Sequence, residues 1–510
     1  IMQKSKKNFT LVMAVIMVVS VALTGCGTKD SSASDSTASA STSTTAAVST
    51  QEQLAPVELT WYLPCNPQKD TDKVNEELNK ILKDKINATV TLNYLDFATF
   101  KDKSSVMIAA GDKFDILFTA SWMLYRQNVA KGAFVDITDL IDKYMPKTKE
   151  LLHPAFLEGS KVDGKNYAVP TNKELAHTYG FLYRDDIAKK YNLDLSGIKS
   201  YGELEPFLKV IKEKEPDMYP LQGFVNTNPV ELLDFDPVGD VNTPGVLYPG
   251  KDTKVINVYE TPEAMEILKI QHQYYKAGYI RKDAATVKDK NPDQNAGKNF
   301  ITTGTLKPLV ADDYTLAVGF PFKVVELTKP FITGNDAQGS MQAISRTSNN
   351  PERALMFLEL VNTDAGVNNL INYGIENVHY IKKSDNVIAF AQGLDAKTSG
   401  YFPNNFWVFG NQFLNYFMEG QNTSKWDLYR SFNEKAVSSK ILGFAFNSEP
   451  VKTELAACAN VYSEFGPGLG TGTLDPEASI PKFLEKLKAA GADKIIAEKQ
   501  KQLDAWLAAK

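Results

Sequence analysis

The chain has 510 residues, 43% hydrophobic and 23% charged, a composition that excludes collagen-like, wholly disordered and polytopic membrane classes. Its 56 Lys and Arg against 61 Asp and Glu give a net charge of −5, so no basic excess points to nucleic acid. Three cysteines cannot build a disulfide framework, and four scattered histidines argue against a His-built metal centre, so neither metal nor cofactor is expected. A chain this long exceeds one core, which predicts two or more lobes.

Lys4, Lys6 and Lys7 precede an apolar run from Leu11 to Leu23. A helix of that length spans only about 20 Å, short of the roughly 30 Å hydrocarbon core, which marks an export signal rather than a membrane span. The run ends in Leu23-Thr24-Gly25-Cys26, which resembles a bacterial lipobox. The resemblance implies a signal peptide of residues 1–25 and a lipid on the Cys26 sulfur. Residues 26–55 are dominated by Ser, Thr and Ala and lack aromatics. Such a stretch cannot bury enough apolar surface to offset its chain entropy and reads as a tether.

In the body, Val57, Leu59, Trp61 and Leu63 alternate with polar residues as a strand does, which places Trp61 in the core. Val74, Leu78, Ile81 and Leu82 follow at helical spacing, and Val90, Leu92 and Tyr94 alternate again. A helix stops at Gly111, Asp115–Phe118 is a buried strand, and Met123–Ala130 reads as helix. This alternation predicts a mostly parallel sheet covered by helices. Thr178–Tyr183 reads as strand, Ser200-x-x-Glu203 as a capping box, and Thr261-Pro262 and Asn350-Pro351 as helix starts. A helix-rich tail follows about residue 400.

Several segments in this order carry a family resemblance. They are Gly111-Asp-Lys-Phe-Asp-Ile-Leu-Phe-Thr119, Val129–Ile141, Gly164-Lys-Asn-Tyr-Ala-Val-Pro170 and Asn350–Leu360. Sharper matches are Asn372-Tyr-Gly-Ile-Glu-Asn-Val-His-Tyr380, Asp475-Pro-Glu and Leu487–Trp506. Residues 56–510 thereby resemble an extracellular solute-binding lipoprotein of an ABC importer, sugar-type, in a Gram-positive subfamily whose C-terminal domain has no assigned function. The resemblance implies a type II periplasmic-binding-protein fold, α/β, with two lobes and a ligand cleft. It implies an N-terminal lobe of residues 56–172 and 303–340, and a C-terminal lobe of 173–302 and 341–510. Crossings are expected near Ala168–Ala176, Ile301–Asp313 and Met341–Ser345. The implied partners are a carbohydrate, permease subunits and, through the lipid, the outer face of the cell membrane; the binder is expected to be a monomer.

A sugar offers hydroxyls at its edges and C–H groups on its faces, so its site wants aromatic rings with carboxylates and amides. Ser121 and Trp122 follow the strand ending at Phe118, at the expected cleft edge, and Tyr62 and Asn66 lie near the end of the first strand. Thr171, Asn172 and Glu174 follow Pro170 at the expected hinge. Asp312-Asp313-Tyr314 and the Glu376/His379 loop supply carboxylates, although His379 reads as an internal hydrogen-bonding residue. Residues 401–426 hold nine aromatics, of which Trp407, beside Asn404 and Asn405, is the expected ligand contact; Trp426 is a second candidate.

Other motifs are weak. Gly466-Pro-Gly-Leu-Gly-Thr-Gly472 lacks the Gly-Lys-Ser/Thr ending of a phosphate loop and reads as a flexible loop. Asp234-x-Asp236 with Asp240 and Asn242 lacks the closing Glu of a calcium loop. Cys65 and Cys458 read as two buried thiols, with pairing outside the cell the alternative. Alternative functions are a sensor or adhesion lipoprotein on the same fold, or an exported glycoside hydrolase, for which no sequence context marks an acid and a base.

Overall fold

The computed structural model describes residues 54–222, 229–240, 243–287 and 291–510. The export signal, Cys26 and the tether up to residue 53 lie outside the described residues. Nine strands build the two main sheets: β1 Val57–Leu63, β2 Ala88–Tyr94, β3 Ile116–Thr119, β4 Ala168–Pro170, β5 Thr178–Arg184, β6 Tyr219–Leu221, β7 Asn299–Leu306, β8 Phe322–Glu326 and β9 Met341–Ile344. The first sheet runs β2-β1-β3-β9-β4 and the second β8-β5-β7-β6.

Alternation in β1 buries Leu59, Trp61 and Leu63 on one face. Trp61 is fully buried, and its indole N–H donates to Gln342 Oε1 on β9 at 2.8 Å. The helix Thr71–Ile86 turns Val74, Leu78, Leu82 and Ile86 inward at 3.6-residue spacing, and Asn87 closes it in the left-handed region. The expected mostly parallel arrangement holds for β2-β1-β3 only. β9 is antiparallel to β3 and β4, and the second sheet is antiparallel except for β6 beside β7. Strand–helix alternation predicts direction only while the chain stays in one sheet. Here β9 enters the first sheet from the other lobe.

The crossings correct the expected lobe boundaries. The first passage runs between β4 of the first sheet and β5 of the second. The strand β7 belongs wholly to the second sheet, so 303–326 stays with the second lobe and the chain returns through 327–340. Met341–Ile344 is not a crossing but a strand of the first sheet, and its following helix Pro351–Thr363 buries Leu355, Leu358 and Val361 in the first core. The chain remains there as far as Phe409 and reaches the second core by Ile441. Apolar strands look alike whichever sheet they join; pairing partners, not composition, decide lobe membership.

Three passages therefore form the hinge, and they are bonded to one another. His177 and Phe331 exchange backbone hydrogen bonds, and Phe331–Ile332 pairs with Val437–Ser438. Asn433 Oδ1 accepts from the Leu175 and Ala176 amides, while its Nδ2 donates to Lys173 O. A small apolar core of Phe156, Leu175, Ala176, Ile332, Phe432 and Leu442 seals them. His177 lies between two carboxylates, with Nδ1 at 3.0 Å from Asp336 and Nε2 at 3.1 Å from Asp234. Burial alone would lower its imidazole; the Asp336 and Asp234 charges overcome that and raise it to about 10.

The tail ends in helices Lys452–Thr471, Pro476–Ala489 and Ala492–Ala509 packed on the second lobe through Leu469, Phe483, Leu487, Ile495 and Leu503. The glycine-rich stretch predicted as a loop is the last part of the first of these helices and stops at Gly472. Its glycines allow close approach: a Cβ on Gly472, at φ +76°, would stand 2.4 Å from Gln271 O. Cys65 and Cys458 are free and buried, and burial pushes their thiols up to about 12 and about 11.

Candidate functional site

Ligands of open α/β lobes bind beyond the carboxyl ends of strands. At that edge of the first lobe, β2 and β3 each lead into a turn that displays a ring. After β2, Asp96 caps the next helix by accepting from the Thr99 amide at 3.2 Å, which places Phe97 at the helix start. After β3, Ser121–Met123 forms a short 3₁₀ turn, and Leu124 leaves it at φ 63°, a backbone region unusual for leucine. Trp122 stands on that turn, 42% exposed, with Phe97 44% exposed beside it.

Trp407 of the tail completes the group. Trp122 lies 5.7 Å from Phe97, 6.1 Å from Trp407 and 5.9 Å from buried Phe118, measured between ring centroids. Hydrogen bonds fix this shelf to the returning crossing. The Trp122 indole donates to Gly339 O at 3.0 Å, the Ser121 amide to Gln338 O at 2.8 Å, and Ser340 Oγ to Trp407 O at 2.7 Å. Thr171 Oγ1 stands 3.0 Å from Ser340 Oγ, linking the first crossing to the same place. Two sequence candidates separated by 285 positions, Trp122 and Trp407, are thus brought together at the hinge end of the first lobe.

A polar cluster lies on the first crossing and the second lobe. Glu174 Oε1 receives Lys307 Nζ at 2.9 Å and has Lys173 Nζ at 3.5 Å. Burial alone would raise the Glu174 carboxyl; the two ammoniums overcome it and hold it at about 2. Asp313 is paired with Lys425 Nζ at 2.7 Å. Lys307 and Lys425 both approach the Tyr429 ring, at 5.3 and 5.7 Å. Glu174 Oε2 and Tyr429 Oη are buried and have no hydrogen-bond partner among the described residues, which leaves an acceptor and a hydroxyl for hydrogen bonding.

The remaining candidates are placed elsewhere. Asn172 is buried; its amide side chain donates to Leu151 O and its backbone N–H to Gly410 O, so it serves the hinge. Tyr314 packs edge-on to Phe322 in the small core of helix Val310–Val318, while neighbouring Asp312 is exposed. Tyr62 is half-buried against Phe114. Glu376 lies in a separate cavity of about 340 Å³ with Glu77, Tyr380, Lys382 and Tyr416, and is paired with Lys382 at 3.0 Å. His379 is buried, accepting from the Ile375 amide at 2.8 Å and meeting Asp70 at 3.3 Å. Trp426 is buried and stacked on Phe417. No cluster of three metal-ligating side chains occurs among the described residues; Asp234 pairs with His177, and Asn242 lies outside them.

Sequence reasoning missed Phe97, Lys307, Lys425 and Tyr429. The signal for Phe97 is an aromatic directly after the Asp96 cap that follows a strand. The others carry no local signal, since only the fold brings their segments together.

Residues 76–378 match the family model described as bacterial extracellular solute-binding protein, and residues 440–508 match a domain of unknown function. The chain is 31% identical, over 99% of both lengths, to a carbohydrate ABC transporter substrate-binding protein of Streptococcus pneumoniae. A polygalacturonan/rhamnogalacturonan-binding protein of Bacillus subtilis is 22% identical over 74% of each chain. Among solved structures, the N-glycan transport solute-binding protein of S. pneumoniae matches at 32% identity and TM-score 0.80, covering 89% of this chain and 99% of that one. Its crystals in complex with Man1GlcNAc and Man5GlcNAc match at 0.73 and 0.71, covering 88% and 89% of this chain and 99% of that one in each. An alginate-binding protein, at 18% identity and TM-score 0.59, shares the fold. The chain belongs to the bacterial extracellular solute-binding protein family.

Proposed function

We propose that this protein captures a neutral oligosaccharide between its lobes and delivers it to the permease of an ABC importer. Binding, not chemical conversion, is its work. The observation that carries the reading is the shelf of exposed Phe97 and Trp122 against half-buried Trp407 on the hinge end of the first lobe. Rings of this kind offer apolar faces to the C–H face of a sugar, and Ser121 beside them offers a hydroxyl for hydrogen bonding. Closure about the three bonded crossings would bury the sugar and present a distinct shape to the transporter.

Charge favours a neutral sugar over a uronate. Arg126 faces Asp240 and Asn335, Lys173 and Lys307 share Glu174, and Lys425 is taken by Asp313. Each of these cations already has an anionic partner, so an incoming carboxylate would have to displace one. The mannose- and N-acetylglucosamine-containing ligands of the pneumococcal relative are of the neutral kind. The lipobox-like Leu23–Cys26 supports a lipid-anchored binder on the outer face of a Gram-positive membrane, with residues 26–55 as its tether. Incorporation of labelled fatty acid that is lost in Cys26→Ala tests the anchor.

A thermal-shift screen tests the ligand class. A neutral mannose-containing oligosaccharide at 100 Kd should stabilise the fold by about 2.7 kcal/mol. Stabilisation by galacturonate or alginate oligomers with silence from neutral sugars would overturn the assignment.

A further inference from the structure

We infer that the C-terminal extension, the domain of unknown function, is a positioning element for contact between the lobes: Lys499 holds Thr243 and Asp240 where the Asp240 carboxylate meets Arg126 and Gln127 of the first lobe. The inference deepens the reading of a two-lobed closing binder and rests on it.

The chain of contacts is continuous. Lys499, fully buried on the last helix, donates to Thr243 Oγ1 at 2.8 Å and to Gly245 O at 3.4 Å. Thr243 Oγ1 in turn donates to Asp240 O at 2.6 Å, and the Thr243 amide to the same oxygen at 3.2 Å. The Asp240 carboxylate accepts from Gln127 Nε2 at 3.2 Å and stands 3.5 Å from Arg126 Nη1. Arg126 also donates to Asn335 Oδ1 at 3.0 Å, and Asn335 Nδ2 donates to Gly239 O at 3.1 Å. Asn335 lies on the returning crossing, so first lobe, hinge and second lobe meet at one point, and the extension supports that point from behind.

Two further observations show that the fit is specific. Gly245 has φ +111°, and a Cβ there would stand 2.7 Å from Lys499 Cδ, so a glycine is needed to admit the lysine stem. The neighbouring residue Gln500 repeats the pattern: its Oε1 accepts from the Val255 amide at 2.7 Å and its Nε2 donates to Thr253 O at 3.2 Å. Burial pulls the Lys499 ammonium down to about 7, with Asp240 and Arg126 the charges that act on it, one raising and one lowering. A lysine so thoroughly desolvated is costly to keep for packing alone.

The test measures the lobes without sugar. Spin labels at Val106→Cys on the first lobe and Lys282→Cys on the second, in full-length protein with Cys26→Ser, report lobe-to-lobe distances; Cys65 and Cys458 are buried. Lys499→Met and Asp240→Ala should each shift or broaden the distance distribution, and the double variant should go no further than Asp240→Ala alone. Thr243→Val, which breaks the link and keeps the lysine, should act in the same direction, and it carries the test should Lys499→Met fail to fold. An unchanged distribution in Thr243→Val and Lys499→Met, or effects that add in the double variant, overturns the inference. Because no sugar is present, a failure here is separable from a failure of the assigned ligand class.

Discussion

Two clusters of rings in this molecule have similar composition and opposite exposure. Phe97, Phe118, Trp122 and Trp407 meet at centroid distances of 5.7–6.3 Å, and Phe413, Phe417, Trp426 and Tyr429 at 5.4–6.1 Å. In the first, Trp122 is 42% exposed; in the second, Trp426 is 9% exposed and Tyr429 fully buried. Each indole N–H finds a backbone carbonyl, Gly339 O for Trp122 and Asn415 O for Trp426. Ring packing and indole satisfaction are thus common to both. What separates a binding face from a core is solvent access: Trp426 and Tyr429 turn inward from helix Lys425–Lys435, whereas Phe97 and Trp122 keep large exposed faces.

Single substitutions should pull the two clusters apart. Trp426→Ala leaves a cavity in a filled core and should cost about 3–5 kcal/mol of folding stability, read by denaturant unfolding, with sugar affinity of the folded fraction kept. Trp122→Ala should do the reverse. Sugar affinity should fall by roughly 30-fold, about 2 kcal/mol by calorimetry, while the melting temperature stays close to that of the wild type. Phe97→Ala, at the rim of the shelf, should weaken binding by about 1 kcal/mol, or roughly five-fold. The hinge supplies a pH-dependent effect that touches neither cluster. The His177 imidazole is raised to about 10 from an unfolded value of about 6.5, so its contribution is complete below about pH 6.5 and is lost as pH rises through 10. The melting-temperature gap between wild type and His177→Gln should therefore be widest at acid pH and narrow above pH 10.

The sequence was most legible where a local period decides the outcome. Alternation put Trp61 in the core, helical spacing gave Val74, Leu78 and Leu82 an inward face, and glycine at position 111 ended its helix. Trp122 was placed at a strand's carboxyl end by the same local logic. Legibility failed where the outcome depends on a distant segment. Nothing near Met341 says that it pairs with Thr119 and Pro170, so the crossings were displaced. Asn172 and Glu174 look equally polar in sequence, yet Asn172 is consumed by Leu151 and Gly410 while Glu174 keeps a free oxygen between two lysines. The glycine-rich 466–472 stretch misled for a related reason: Gly472 and Gly468 serve close packing against Gln271 and Leu474 rather than chain flexibility.

Calorimetric titration of the wild type and of Trp122→Ala with a neutral mannose-containing oligosaccharide, beside a uronate oligomer, tests the central claim most directly. The account predicts saturable binding of the neutral sugar by the wild type, a loss of roughly 30-fold in Trp122→Ala, and no binding of the uronate. Equal affinity in the two proteins, or preference for the uronate, would contradict it.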